Sequence, residues 1–378
     1  MIKNYPLKNL LLVAAFLLLI VVASCKKDST NNNNTPVTKT VVDATPAKLG
    51  LYAADSSIFK LLITAISKIG TNTTDYGLQF DTGSGGLVID AADIIPANMI
   101  TSSGFTFTGD STIVNGITIT NKTNTITYGD DATSLDKVYG NLAYASVTVG
   151  DVAGGEVTIK RLAFFLYYKA VDYQGNKFPA HEFDIFGVSP EYDISFAGGI
   201  SVQSPLSYYE PGTGLTKGFI LSAIPASTYS YAGTYVPGAV TMGLTAANLS
   251  SSSGFTMHDE ANEGNYGYSP LVRSSLSYNN NSSFASDVVF DTGTEPYSYL
   301  EDPTAIDTIA LLPAKTPVAV TTSDGFAYNY STTPTDNLTF VENPTLSGAE
   351  VSILSLEFFL TNSYMLDYDN HRLGVKSN

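Results

Sequence analysis

The sequence predicts a mostly-β protein built as two related lobes facing each other across a cleft, and three observations carry that expectation. From Thr38 onward the chain is rich in Val, Ile, Thr, Tyr and Phe, set in short alternating runs such as GITITNKTNTITYG and LAYASVTVG and bounded by Gly, Asn, Asp and Ser, the composition of half-buried strands and hairpins. Helix signals are few. The clearest is Asp302-Pro303, a capping residue followed by a proline suited to a first helical position, before the apolar pattern Ile306, Ile309, Ala310. Third, Phe80-Asp81-Thr82-Gly83-Ser84 recurs as Phe290-Asp291-Thr292-Gly293-Thr294, each copy preceded by an apolar, strand-like approach. One Asp-Thr-Gly is a common turn sequence. Two copies matched on both flanks point to a duplication in which each lobe supplies one loop to a shared cleft.

Ahead of these elements the chain opens with MIKNYPLKNLLLVAAFLLLIVVASC. A short basic region with Lys3 and Lys8 precedes an apolar run from Leu10 to Ala23, shorter than the about 20 residues of a spanning helix and suited to a removable export signal. Val22-Ala23-Ser24-Cys25 resembles the lipobox at which bacterial lipoproteins are cleaved before a lipid-bearing Cys, and Cys25 is the single cysteine among 378 residues. The alternative is an ordinary signal peptide that happens to contain a Cys. Residues 1–24 are thus expected to be a signal peptide, with the lipid on Cys25 holding the protein to the membrane and residues 25–46, which include the polar tract KKDSTNNNNTP, forming a flexible linker. The expected location is the cell envelope, on the outer membrane or cell surface.

The formal net charge is −16 at pH 7, which argues against nucleic acid and anionic lipid surfaces as partners. With one Cys, neither internal disulfides nor a cysteine metal cluster can form. His181, His258 and His371 are far apart and show no zinc-type spacing. His258-Asp259-Glu260 with Glu263 reads as a solvated loop, and Asp367-Tyr368-Asp369-Asn370 lacks the closing Glu of an EF-hand and reads as a hairpin turn. Neither a phosphate-binding Gly-rich loop nor a G-x-S-x-G nucleophile elbow is present. No metal and no cofactor is expected.

The two Asp-Thr-Gly motifs resemble those of the pepsin-like aspartic proteases, bilobal β enzymes in which each lobe supplies one such loop. Between them, Ile126-Thr127-Tyr128-Gly129 resembles the family's flap, followed by Tyr139-Gly140-Asn141-Leu142-Ala143-Tyr144 and Val147–Gly150. Phe183-Asp184-Ile185-Phe186-Gly187 resembles the element that passes beneath the first catalytic loop, with Ile353-Leu354-Ser355 its counterpart. The stretch from Ile353 to Val375 resembles the closing strands, with Phe358, Asp367, Leu373 and Gly374 in register. The resemblance covers nearly all of the chain beyond the signal, and implies an N-terminal lobe over 47–222 and a C-terminal lobe over 223–378.

It further implies an aspartic endopeptidase, monomeric, acting on extended peptide or protein substrates. Asp81 and Asp291 would share one proton and activate a water between them. Thr82 and Thr292 would lock the loops together, Ser84 and Thr294 would bond the outer carboxylate oxygens, and Gly83 and Gly293 would permit the tight turns. Tyr128, Gly129 and Asp130 would cover the substrate. Three departures stand out: Ser355 replaces the family's Gly, the chain has no Trp, so that Val88 stands where a tryptophan usually supports the flap, and the usual disulfides are missing. A rival reading keeps the two-lobed frame as a lipoprotein that binds a peptide or glycan without cutting it.

Overall fold

In the computed structural model, the residues described are 44–56, 59–129, 135–151, 155–348 and 351–378. The expected signal, Cys25 and most of the linker lie outside them, as does Asp130. Two sheets dominate, one of fourteen strands and one of eight. The large sheet begins as a meander of Ala47–Asp55, Lys60–Ile69 and Asn72–Asp81, paired antiparallel in sequence order. Alternation makes these strands: Lys60, Leu62, Thr64 and Ile66 are buried while the residues between them are half-exposed, the period-two signature of a pleated sheet with one face on a core.

The chain then crosses itself. After the loop that follows Asp81, Gly85–Asp90 leaves as a strand, and the much later Ile185–Val188 inserts between the two arms. It pairs parallel to Asn72–Asp81, with Phe186 opposite Phe80, and antiparallel to Gly85–Asp90, with Phe186 opposite Leu87. The eight-stranded sheet repeats the construction. Ser352–Leu354 pairs parallel to Phe284–Phe290, with Leu354 opposite Phe290, and antiparallel to Tyr297–Glu301 through Ile353 and Tyr299. The duplication read in the sequence is therefore a duplication of topology.

Strands on both sides of residue 222 share the large sheet. Asn362–Asp367 pairs with Thr216–Leu221, which pairs with Thr234–Leu244, which pairs with Ala47–Asp55. Within the core a run of buried aromatic rings joins the two motif copies: Phe80 contacts Phe219, Phe219 contacts Tyr364, Tyr364 contacts Phe359, and Phe359 contacts Phe358, whose ring centroid lies 4.4 Å from that of Phe290. Each such pair adds about 0.5–1.5 kcal/mol beyond burial. The residues preceding both aspartates thus stand on one packed core.

One expected element is corrected. Asp302-Pro303 starts no helix. Asp302 does act as a cap, accepting from Thr304 N at 2.8 Å and Thr304 Oγ1 at 2.7 Å, but the chain closes a single turn and passes into the strand Ile309–Leu311. The apolar residues that suggested a buried helix face have nothing to cover them: Ile306 is 92% exposed and Ile309 47%. Pairing with Leu338–Glu342 satisfies the backbone instead. The segment Asp367–Asn370 forms the hairpin turn expected, Asp367 accepting from Asn370 N at 3.1 Å and from Arg372 at 2.9 Å.

Candidate active site

The parallel strand pairs deliver Asp81 and Asp291 to the same point. Thr82 and Thr292, each fully buried, interlock reciprocally. Thr82 N donates to Thr292 Oγ1 at 3.0 Å and Thr292 N to Thr82 Oγ1 at 2.9 Å. Each hydroxyl then donates across to the other half, Thr82 Oγ1 to Phe290 O at 2.7 Å and Thr292 Oγ1 to Phe80 O at 2.6 Å. These four bonds leave no donor of either hydroxyl or amide idle in a dry place, which would cost about 1–3 kcal/mol per group.

Each aspartate is held within its own loop. Asp81 Oδ1 accepts from Gly83 N at 2.8 Å and Ser84 N at 3.2 Å, and Asp81 Oδ2 from Ser84 Oγ at 2.6 Å. Asp291 Oδ1 accepts from Gly293 N at 2.7 Å, and Thr294 Oγ1 donates to Asp291 Oδ2. The two carboxyls face each other over the opposing glycines. A Cβ on Gly83 would lie 2.4 Å from Asp291 Cγ, and one on Gly293 would lie 2.7 Å from Asp81 Cγ, so a side chain at either place would displace the partner carboxyl. Burial first, and the charge of Asp291 second, hold the Asp81 carboxyl well above the usual carboxylate range, against the pull of the Ser84 and Gly83 bonds. Such a pair can give a proton at one oxygen while taking one at another.

The flap candidates occupy the end of the strand Ile117–Tyr128, paired with Asp136–Asp151. Tyr128 is close enough to Asp81 and Asp193 for their charges, after burial, to raise its hydroxyl. Its ring stacks on Phe183, centroids 5.4 Å apart and 22° between planes, and Gly129 follows with φ 119°. Val88 is buried in the cluster that Tyr128 packs against. A stacked phenylalanine thus backs Tyr128 in a chain without tryptophan.

At Gly187 a Cβ would lie 2.6 Å from Ser84 O, so glycine is obligatory where the strand runs under the first loop. Ser355, at the corresponding place under the second loop, is buried with room for its side chain. Ser355 N donates to Ser298 Oγ at 3.1 Å, and Ser298 Oγ to Ser355 Oγ at 3.3 Å. The departure from glycine is accommodated by a neighbouring hydroxyl.

Several positioning groups carried no sequence signal. Gln79 Nε2 donates to Gly293 O at 2.9 Å, a side chain of one half reaching the loop of the other. Gly85 N donates to Asp193 Oδ2 at 2.6 Å. Beside the second loop, Lys60 Nζ lies 2.6 Å from Glu357, 3.2 Å from Asp336 and 4.0 Å from Glu295. Burial and the facing Glu357 push Glu295 up to about 8, Lys60 opposing. Adjacency of Glu295 to the motif was its only available hint.

No protein-family model and no curated protein matches the sequence. Solved structures do match in shape. An aspartic proteinase from Irpex lacteus superposes with a TM-score of 0.55 at 17% identity, covering 88% of this chain and 98% of that one. Basic 7S globulin from soybean gives 0.54 at 13% identity, with 88% and 96% covered. Conglutin gamma, a basic 7S globulin from lupine seeds, gives 0.53 at 12%, again with 88% and 96% covered. With two crossing-strand units placing one Asp-Thr-Gly loop each at a common point, the chain has the bilobal pepsin-like aspartic proteinase fold.

Proposed function

We propose that this protein is an aspartic endopeptidase in which Asp81 and Asp291 act as one proton-sharing pair. The observation that carries the reading is the reciprocal threonine lock, which brings two separately bonded carboxyls face to face. The ionised carboxyl takes a proton from a water held between them while the protonated one donates to the scissile carbonyl oxygen. Water attacks that carbon directly, and the leaving nitrogen receives a proton from the pair. Tyr128, Gly129 and Asp130 close over a peptide or protein substrate lying extended in the cleft. The reading also keeps the protein a monomer tethered to the cell envelope by the lipid on Cys25.

A second reading, binding without cleavage, draws on the same comparisons, since two of the similar folds are named as basic 7S globulins and a fold does not fix an activity. The deciding assay uses a soluble form lacking residues 1–25, incubated with denatured proteins from about pH 3 to about pH 8, beside Asp81→Asn and with a pepstatin-type inhibitor. Acid-dependent cleavage that the variant and the inhibitor both abolish supports the peptidase. A folded sample that cuts nothing at any pH supports the binder.

A further inference from the structure

His181 stands where three elements behind the flap meet. Its backbone has φ 64°, in the left-handed region, which among non-glycine residues Asn, Asp and His adopt most readily. Its N–H donates to Asp90 Oδ2 at 3.0 Å. In the ring, Nδ1 is 2.8 Å from Asp184 Oδ2 and Nε2 is 3.7 Å from Asp93 Oδ2. The ring face stacks on Tyr76, centroids 4.9 Å apart. Asp90 and Asp184 are themselves joined, Asp90 N donating to Asp184 Oδ1 at 2.7 Å, and both are buried. Burial raises Asp90 above the usual carboxylate range, against the bonds from Ala92 N and His181 N, and a proton on the His181 ring sets a positive charge beside both carboxyls.

From this node two connections reach the cleft. Phe183 lies beside Asp184 and stacks on Tyr128, its N–H donating to Tyr167 Oη at 3.3 Å. Asp184 O accepts from Gln79 N at 3.0 Å, and Gln79 Nε2 donates to Gly293 O. The segment from His181 to Asp184 therefore backs the flap aromatic and also braces the strand entering Asp81.

We propose that His181, as an imidazolium, is a positioning residue that clamps this segment so that Phe183 backs Tyr128, and that loss of its proton loosens the seat of Tyr128. The catalytic consequence rests on the peptidase reading; the clamp itself does not. The groups facing the ring are Asp184 on its own segment, Asp90 and Asp93 at and after the end of Gly85–Asp90, Tyr76 on Asn72–Asp81, and Tyr167 on Gly155–Val171. The bond to Asp184 raises the imidazole above its ordinary range, burial opposing. The clamp is thus fully charged in acid and is lost as pH rises through the raised value.

His181→Asn is the informative variant, because asparagine tolerates the same backbone conformation. At about pH 5 it should raise KM about tenfold with kcat changed less than about twofold, the loss of one charge-assisted bond. The ratio to the natural enzyme should return to one once His181 has deprotonated, a comparison in which the titration of Asp81 and Asp291 cancels. A penalty independent of pH would overturn the clamp. A second readout needs no activity: by reciprocity, Tyr128→Leu should lower the midpoint of His181, followed by proton NMR among three histidines, by about half a pH unit. An unmoved midpoint also overturns it. If the chain cuts nothing yet His181 responds, the peptidase reading fails and the clamp stands.

Discussion

At the scale of single residues, the candidate site is a set of groups each needed by another. Asp81→Asn and Asp291→Asn should each lower cleavage by at least about 10²-fold, as removing a general acid or base does, while a pepstatin-type ligand still protects the folded protein against heat. Thr82→Val tests the lock. It deletes the donor to Phe290 O and the acceptor of Thr292 N without changing the shape of the side chain. Two buried groups lose partners, so denaturant unfolding should report a loss of about 2–5 kcal/mol, with Thr82→Ser close to the natural protein. The motif residues were legible in the sequence because they recur as a block. Gln79 and His181 were not: Gln79 bonds Gly293, remote in sequence, and His181 joins Asp184, three residues on, to the distant Asp90, a junction that only the fold assembles. No period or spacing encodes a contact of that kind.

Individual elements explain why the two halves tolerate different residues at corresponding places. The strand Ile185–Val188 and the strand Ser352–Leu354 both run parallel to a strand that ends in an Asp-Thr-Gly motif and under its loop. Under the first loop the backbone of Ser84 fills the space at Gly187, whereas Ser298 meets the side chain of Ser355 under the second. Gly187→Ala should therefore cost about 2–3 kcal/mol and displace Ser84, while Ser355→Gly should cost about 1 kcal/mol and leave cleavage within about twofold. Melting curves and initial rates on the two variants distinguish these outcomes. Strands were legible here because alternation is local. The segment after Asp302 misled for the same reason: a cap and an apolar period are local signals, and the decision against a helix came from the absence of any surface for Ile306 to cover.

For the whole molecule, the acidic composition has a thermodynamic direction. Glu301 is raised to about 7 by burial and by Glu342 beside it, and burial first raises Glu191, Glu260 and Glu295 to about 8. Carboxyls raised in the folded state bind more protons there than in the unfolded chain, so stability falls as pH climbs from the ordinary carboxylate range toward those values. The melting temperature should be highest in mild acid and decline toward about pH 8, and Glu301→Gln should flatten part of that decline. A flat profile in the natural protein would contradict it. The strand Ser352–Leu354 also carries a consequence in time. Asp291 N donates to Leu354 O at 2.8 Å and Leu356 N to Thr294 O at 3.1 Å, so the second loop has no floor until residues some sixty positions downstream have been synthesised. Chains emerge from the ribosome N-terminus first, and a nascent chain that has released both Asp-Thr-Gly motifs still lacks the strand that supports the second. Assembly of the facing carboxyls is thereby postponed to a late stage of folding, after the strand that floors the second loop has left the ribosome.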